Sequence, residues 1–377
     1  MGRCGDAAAI GWITPGDPRI EAEWEPLLSA LCRYGPQHFG ANLGGQMRLI
    51  QAFGSTIPAL VVEAGRELSD VCSPISRYVS YPLEEARRRA RPWQRPLLNA
   101  GAGLLGNGLR RLGLERAVYV NNWLLSTNPP LRLNRPQIAA PTRWLAGEFS
   151  DHAIVYRTVN PVLEPELTGS LQAAGCHLLT TRVVYVIDPR QASFERHSDV
   201  LKDWRLLRAS RYLLSHDKTS LSQGELQRLT HLYQQLYIGK HCRHNAQFNA
   251  AYFARILATP MIQASLFREP GSGRLDAFSL YMDNGPYLTG CQIGYDLALP
   301  QRLGLYRMAL MHKVPLAQRR GLLVNLSGGA GSFKCQRGAE PVREYDALFD
   351  RHLPRRRRLH WRLVSVEGQL FGRLAPG

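Results

Sequence analysis

The sequence has no cysteine pair at CxxC spacing, and its seven cysteines are scattered and odd in number. That pattern excludes a disulfide framework and points to buried thiols in a reducing compartment. No uninterrupted apolar run reaches the roughly 18 residues that a membrane span needs. The nearest, Pro96 to Leu109, is interrupted by Asn99 and Asn107 and bordered by arginines, so it reads as a core helix or as one lying on a membrane surface. The first twelve residues lack an apolar stretch of signal-peptide length, and the expected location is the cytoplasm. Neither GxxxxGK[ST] nor GxGxxG occurs, which excludes a Walker loop and a dinucleotide fingerprint. Lysine is scarce too, arginine supplying nearly all the cations.

Those cations are in excess. A formal net charge of +17 favours a polyanionic partner: nucleic acid, an acidic membrane surface or a multiply phosphorylated cofactor. A coding bias toward arginine accounts for the choice of cation but not for the excess over anions. With 45% apolar residues over a length of 377, the chain can build ordinary cores, and two domains of about 180 residues each are the natural expectation.

Read in order, helices are expected at Asp17–Tyr34 and Asn42–Phe53, strands at Thr56–Glu63 and Val71–Tyr81, and a basic helix over Pro82–Leu114. A strand at Ala117–Leu125, a helix at Thr142–Phe149, a strand at His152–Arg157, a helix at Glu164–Ala174 and a β-rich run at Cys176–Ile187 complete a first unit. After a basic crossing segment, Ser193–Ser215, a second unit repeats the plan. Ser222 with Glu225 forms a capping box for a helix to Leu236, and a helix at Asn249–Thr259 follows. Strands at Met261–Arg268, Leu275–Met282 and Tyr287–Ile293 are separated by Gly and Asn-Gly turns, and a helix spans Leu305–Gln318. Leu322–Leu326 is a short buried strand, Val342–His352 a helix, and Trp361–Phe371 a hairpin-like tail. The repetition suggests an internal duplication, divided into 1–190 and 191–377.

The second unit is organised around Asn325-Leu-Ser-Gly-Gly-Ala-Gly-Ser-Phe-Lys334. A strand opening into a glycine-rich turn exposes backbone N–H groups where no Cβ intervenes, and Lys334 and Arg337 just beyond can neutralise an anion. Solvated basic residues on a plain connection are the alternative.

The order of elements resembles the GNAT acyltransferase fold, and two such units in tandem resemble its FemABX and BioF2-like branch. There the second unit carries a strand and glycine-rich turn before an aromatic–lysine pair, similar to Ser327-Gly-Gly-Ala-Gly-Ser-Phe-Lys334. The implied fold is mixed α/β (α+β): two tandem GNAT-like domains, each a mixed, mostly antiparallel sheet flanked by helices. Gln318-Arg-Arg-Gly321 echoes part of the GNAT acetyl-CoA loop, with Leu323 where a last glycine is expected.

The resemblance implies direct attack of an amine or hydroxyl of a small-molecule acceptor on an activated acyl carbonyl, without a covalent intermediate. The implied donor is an acyl-CoA or acyl-carrier protein thioester. Aminoacyl-tRNA is the alternative donor, and a non-catalytic binder of nucleic acid or of an acidic membrane is a further one. Asp296 and Tyr295 are the candidates for base or amine-orienting group, Asp296 alternatively making only a turn or N-cap. Tyr306 is a candidate donor to the leaving group, or else a core aromatic. Ser327, Gly328, Gly329, Gly331, Lys334 and Arg337 are the candidate cofactor-binding residues. Lys240-His-Cys-Arg-His244 lacks a second ligand group at metal spacing, so no metal is expected. Arg87–Arg89 and Arg355–Arg358 are either solvated faces or phosphate-facing patches.

Overall fold

The structure, a computed structural model, describes residues 10–63, 68–96, 108, 113–362 and 364. Within them, strands β1 to β6 are Gly11–Ile13, Gln46–Ala52, Ser55–Val62, Ala117–Val120, Ala153–Val159 and His177–Ile187. Strands β7 to β12 are Leu213–Ser215, Ile262–Arg268, Leu275–Asp283, Tyr287–Tyr295, Leu323–Asn325 and Glu340–Phe349. Helices α1 to α5 are Glu25–Tyr34, Tyr81–Arg89, Arg135–Glu148, Pro165–Ala173 and Ser198–Ala209. Helices α6 to α10 are Gln223–Gln234, Ala250–Ala258, Leu305–Met311, Val314–Arg320 and Gly331–Cys335.

The chain forms two compact units. The first takes the described residues to 38, 42–181 and those from 344 onward; the second takes 39–41 and 182–343. Strands β6 and β12 each contribute residues to both. Within the first unit the strand order is β1-β2-β3-β4-β5-β12, and within the second β6-β11-β10-β9-β8-β7.

Within each unit the strands follow one mixed plan. Antiparallel neighbours lead up to a single parallel pair, β4 with β5 in the first unit and β10 with β11 in the second. The second strand of each pair is then antiparallel to a last neighbour, β12 or β6 respectively. In the first unit Val118, Val120, Ile154 and Tyr156 pack with Ile138 and Leu145 of α3 and Leu171 of α4. In the second, Leu288 and Val324 pack with Met311, Val314 and Ala317. Each such aliphatic side chain contributes about 1.5–3 kcal/mol by leaving water.

Several expected elements differ. Asn42–Phe53 is not a helix: Gln46–Ala52 pairs in full register with β3. Val71–Tyr81 is not a strand: it coils through a π-turn at Ser76–Ser80 into α2. Val342–His352 lies mostly in β12, a strand whose inward positions alternate Val342, Glu344 and Asp346. Trp361 and Arg362, where the expected hairpin begins, lie instead in a helical stretch that starts at residue 355, and the remainder of that tail lies largely outside the described residues, as does most of Pro96–Leu109. The capping box at Ser222 and Glu225 is present and starts α6.

The first unit buries a charge pair to hold the inward carboxylate of β12. Asp346, at a bulge between Tyr345 and Ala347, receives Arg77 Nε and Nη2, the Tyr78 hydroxyl at 2.7 Å and the Thr158 N–H at 2.9 Å. Burial pushes the Asp346 pKa up, but Arg77 more than offsets this, and the net value is below the usual 3.8. A carboxyl depressed in the folded state contributes stability above its unfolded pKa and loses it as pH falls through the folded one. Asp346→Asn should therefore cost about 3 kcal/mol at pH 7, because it leaves buried Arg77 with only Asp70, at 3.7 Å, as a counter-charge. In urea melts the gap to wild type should narrow as pH drops below 3.8.

Candidate functional site

In the second unit β10 follows the Asp283-Asn-Gly turn, where Gly285 takes φ +90°, and pairs with β9 along its length. A bulge between Gly290 and Gln292 interrupts that ladder. On its other edge β10 pairs with β11 only through Tyr287↔Leu323, Leu288↔Val324 and Thr289↔Asn325. Beyond Asn325 the chain keeps its bonds to β6: Leu326 N–H donates to Tyr185 O at 2.8 Å, and Tyr185 N–H to Ser327 O at 3.2 Å. The two parallel strands thus part company where β10 bulges. The Asn325 side chain fixes the departure by accepting from the Ser327 N–H at 2.8 Å. Tyr237, its pKa pushed up to about 12 by burial, accepts from the Ile293 N–H on β10. A Cβ on Gly290 would lie 3.6 Å from Asn325 O and 3.7 Å from the Lys313 stem.

The glycine-rich turn is held from beneath. Ser327 (φ +59°), Gly329 (φ +75°) and Ala330 (φ +51°) are all left-handed, and Lys334 lies on the short α10. Its ammonium donates to the carbonyls of Leu326 at 2.8 Å, Ser327 at 3.0 Å and Gly328 at 2.7 Å. Burial, with Arg182 and Lys313 adding repulsion, brings its pKa down to about 7; the three acceptors favour the charged form. Arg337 lies over the Phe333 ring, 3.4 Å from its centroid, and donates to Phe333 O and to buried Asp203. Arg307 from α8 reaches Asp203 as well, at 2.6 Å. Both predicted anion-binding cations are therefore engaged by groups of their own unit.

The predicted catalytic residues lie at the far end of β10 and just beyond. The Tyr295 ring is 5.7 Å from that of Tyr306, which is 5.0 Å from Phe333, so the strand end, α8 and the turn share one aromatic cluster. Lys240 donates to the Tyr295 hydroxyl at 3.3 Å. Burial pushes the Tyr306 hydroxyl pKa well up, and it stays a phenol at neutral pH. Asp296 accepts from Arg228 at 2.6 Å and from the Ala298 N–H at 2.9 Å. Partial burial works against its charge, yet Arg228 and the turn N–H leave its pKa below normal.

Sequence reading missed Tyr237, Lys313 and Asp203. Lys313 is fully buried beside the bulge, donates to Leu310 O at 2.9 Å and has its pKa pushed down by burial to about 8. A lone lysine after an apolar helix carries no local signal of burial. Asp203 sits in the basic segment 193–215, where its neighbours hid its role as an inward acceptor. Among the described residues no three His, Cys, Asp or Glu side chains converge as metal ligands, and no helix is long and apolar enough to cross a membrane.

No family model matches the chain, and no curated protein does. Solved structures similar to it include L-PGS from Bacillus licheniformis, at 13% identity and TM-score 0.43, covering 61% of this chain and 78% of that one. FemX is similar over 56% of this chain and 77% of its own, at 11% identity and TM-score 0.42. A tandem GNAT protein from the clavulanic acid biosynthesis pathway is similar over 62% and 74%, at 12% identity and TM-score 0.36.

Replacing Lys334 by Met would orphan three carbonyls that the ammonium now satisfies. The expected loss is on the order of 3 kcal/mol, read as a lower urea midpoint at unchanged slope. An unchanged midpoint would show that the turn does not depend on this lysine.

Proposed function

We propose that the chain transfers an acyl group from a thioester donor, an acyl-CoA or an acyl-carrier protein, to an amine or hydroxyl of a small metabolite. The observation that carries this reading is the end of β10–β11 pairing at Thr289↔Asn325, with the bulge at Gly290–Gln292 directly beyond it. The edge of β10 that β11 gives up is suited to an extended, amide-bearing donor arm, which would bring its thioester toward the bulge. Strand-like pairing of this kind supplies affinity without a dedicated side-chain set.

The chemistry then needs little from the protein. The acceptor nitrogen or oxygen attacks the thioester carbon, its proton passes to a base or water, the C–S bond breaks, and the thiolate leaves and takes up a proton. Tyr306, held as a phenol, is the proposed donor to the departing sulfur, with Tyr295 beside it. Asp296, kept anionic by Arg228, is better suited to orienting a cationic amine than to accepting its proton. Gly328, Gly329 and Gly331 would present backbone N–H groups to the donor, the Ser327 N–H being held by Asn325, with Lys334 and Arg337 shaping the turn from within.

A second reading, aminoacyl transfer from charged tRNA, is favoured by one feature of the first unit: a concave surface patch lined by Arg355, Arg358, Leu359 and Arg362. Three arginines on one helical face suit a phosphate backbone.

Thermal shift of the full chain against acetyl-CoA, longer acyl-CoAs and bulk tRNA separates these readings. A ligand at about 100 times its Kd stabilises by roughly 2.7 kcal/mol, a shift of a few degrees. The thioester reading predicts a salt-insensitive shift with one acyl-CoA that Gly290→Leu abolishes, since Gly290 faces the parting of the strands. Asp296→Asn should keep that shift and lower turnover. A shift with tRNA alone, lost steeply in salt, would replace it with the second reading if aminoacyl transfer follows. The same shift without transfer would indicate a binder.

A further inference from the structure

The first unit ends its parallel pair as the second does, and leaves there a buried guanidinium with a bare edge. Register between β4 and β5 stops at Val120↔Tyr156. The next residue on β5 is Arg157, 2% exposed. Its Nη1 donates to Asn122 Oδ1 at 2.8 Å and to Leu125 O at 3.3 Å. Its Nε and Nη2 are buried and have no hydrogen-bond partner. Tyr119, on β4, is fully buried, its ring centroid 5.6 Å from the Arg157 Cζ, and its hydroxyl is unpartnered as well.

Three unmet donors around one buried cation are expensive to leave dry. The backbone near them is strained rather than relaxed: Asn121 (φ +57°), Leu124 (φ +58°) and Thr158 (φ +56°) are three of the six described non-glycine residues with positive φ. Such strain collects at ligand sites. The nearest carboxylates do not fill the gap. Asp346 already accepts from Arg77, Tyr78 and Thr158. Asp70 lies 3.7 Å from Arg77, and both oxygens of Glu115 accept from the Ser73 hydroxyl.

We propose that the Nε–Nη2 edge of Arg157 and the Tyr119 hydroxyl form a binding site for a small carboxylate. Nε–H and the neighbouring Nη2–H are parallel donors spaced for the two oxygens of a carboxylate, and a phenol alongside supplies a third bond. The class follows from charge as well. Asp346 and Asp70 are matched by Arg77 and Arg157, and Glu115 acts on Tyr119, so the surroundings carry no surplus of positive charge and suit a monoanion better than a phosphate dianion. The site stands on the first unit alone and is independent of the acyl-transfer reading.

The test uses the full chain and sodium acetate, with sodium chloride at matched ionic strength as the control. Acetate should raise the melting temperature saturably above the chloride control, Tyr119→Phe should weaken its apparent affinity by about fivefold, and Arg157→Lys, which keeps the charge but loses the fork, should abolish the shift. If Arg157→Lys does not fold, the protected Arg157 Nε–H proton resonance of the wild type should move on acetate titration and stay put with chloride. Equal responses to acetate and chloride, or an acetate shift indifferent to both substitutions, would overturn the proposal.

Discussion

A parallel strand pair that stops inside a unit leaves backbone and side-chain donors and acceptors that water cannot reach, and each must find a partner. Both units of this chain face that constraint at the same point of their strand plan, and much of their polar interior is arranged around it. In the second unit Asn325, Tyr185 and Tyr237 take up N–H groups near the parting, while Lys334 gathers three carbonyls of the turn that follows. In the first unit Asp346 gathers donors at a bulge, and Arg157 takes Asn122 and a loop carbonyl.

These solutions bury charge, and buried charge is stabilising only when its partners are complete. The Arg77–Asp346 pair and the Asp203 carboxylate meeting Arg307 and Arg337 satisfy that requirement. Lys334 satisfies it through carbonyls. The cations therefore act as fasteners of unusual backbone, and the features left for chemistry are the edges they hold open: the β10 edge in one unit, the Arg157 fork in the other. The surplus of surface arginine is a separate property, and it bears on partners rather than on the fold.

Elements whose signals are local were legible. The capping box at Ser222, the strands around the Asp283-Asn-Gly turn and the Leu322–Leu326 strand could be read because their burial is apolar and their turns carry the expected residues. The strand β12 was not legible as one, because its inward positions include Glu344 and Asp346. Without apolar alternation the period of a strand vanishes. The same cause hid the π-turn at Ser76–Ser80, where Arg77 points inward to meet Asp346. The glycine-rich turn was recognisable from its composition, yet the direction of Lys334 was not, since an ammonium facing carbonyls and one facing an anion look identical in sequence. Tyr237 and Lys313 gain their positions only when β10 and its neighbours assemble.

The central claim is that the edge of β10 given up by β11 receives the acyl donor. Hydrogen–deuterium exchange of the full chain with and without the acyl-CoA that binds it reads that edge directly. Donor binding there predicts new protection confined to residues 290–295 and 328–331. Protection absent from that edge, or appearing instead in residues 117–124 and 153–159, would contradict it.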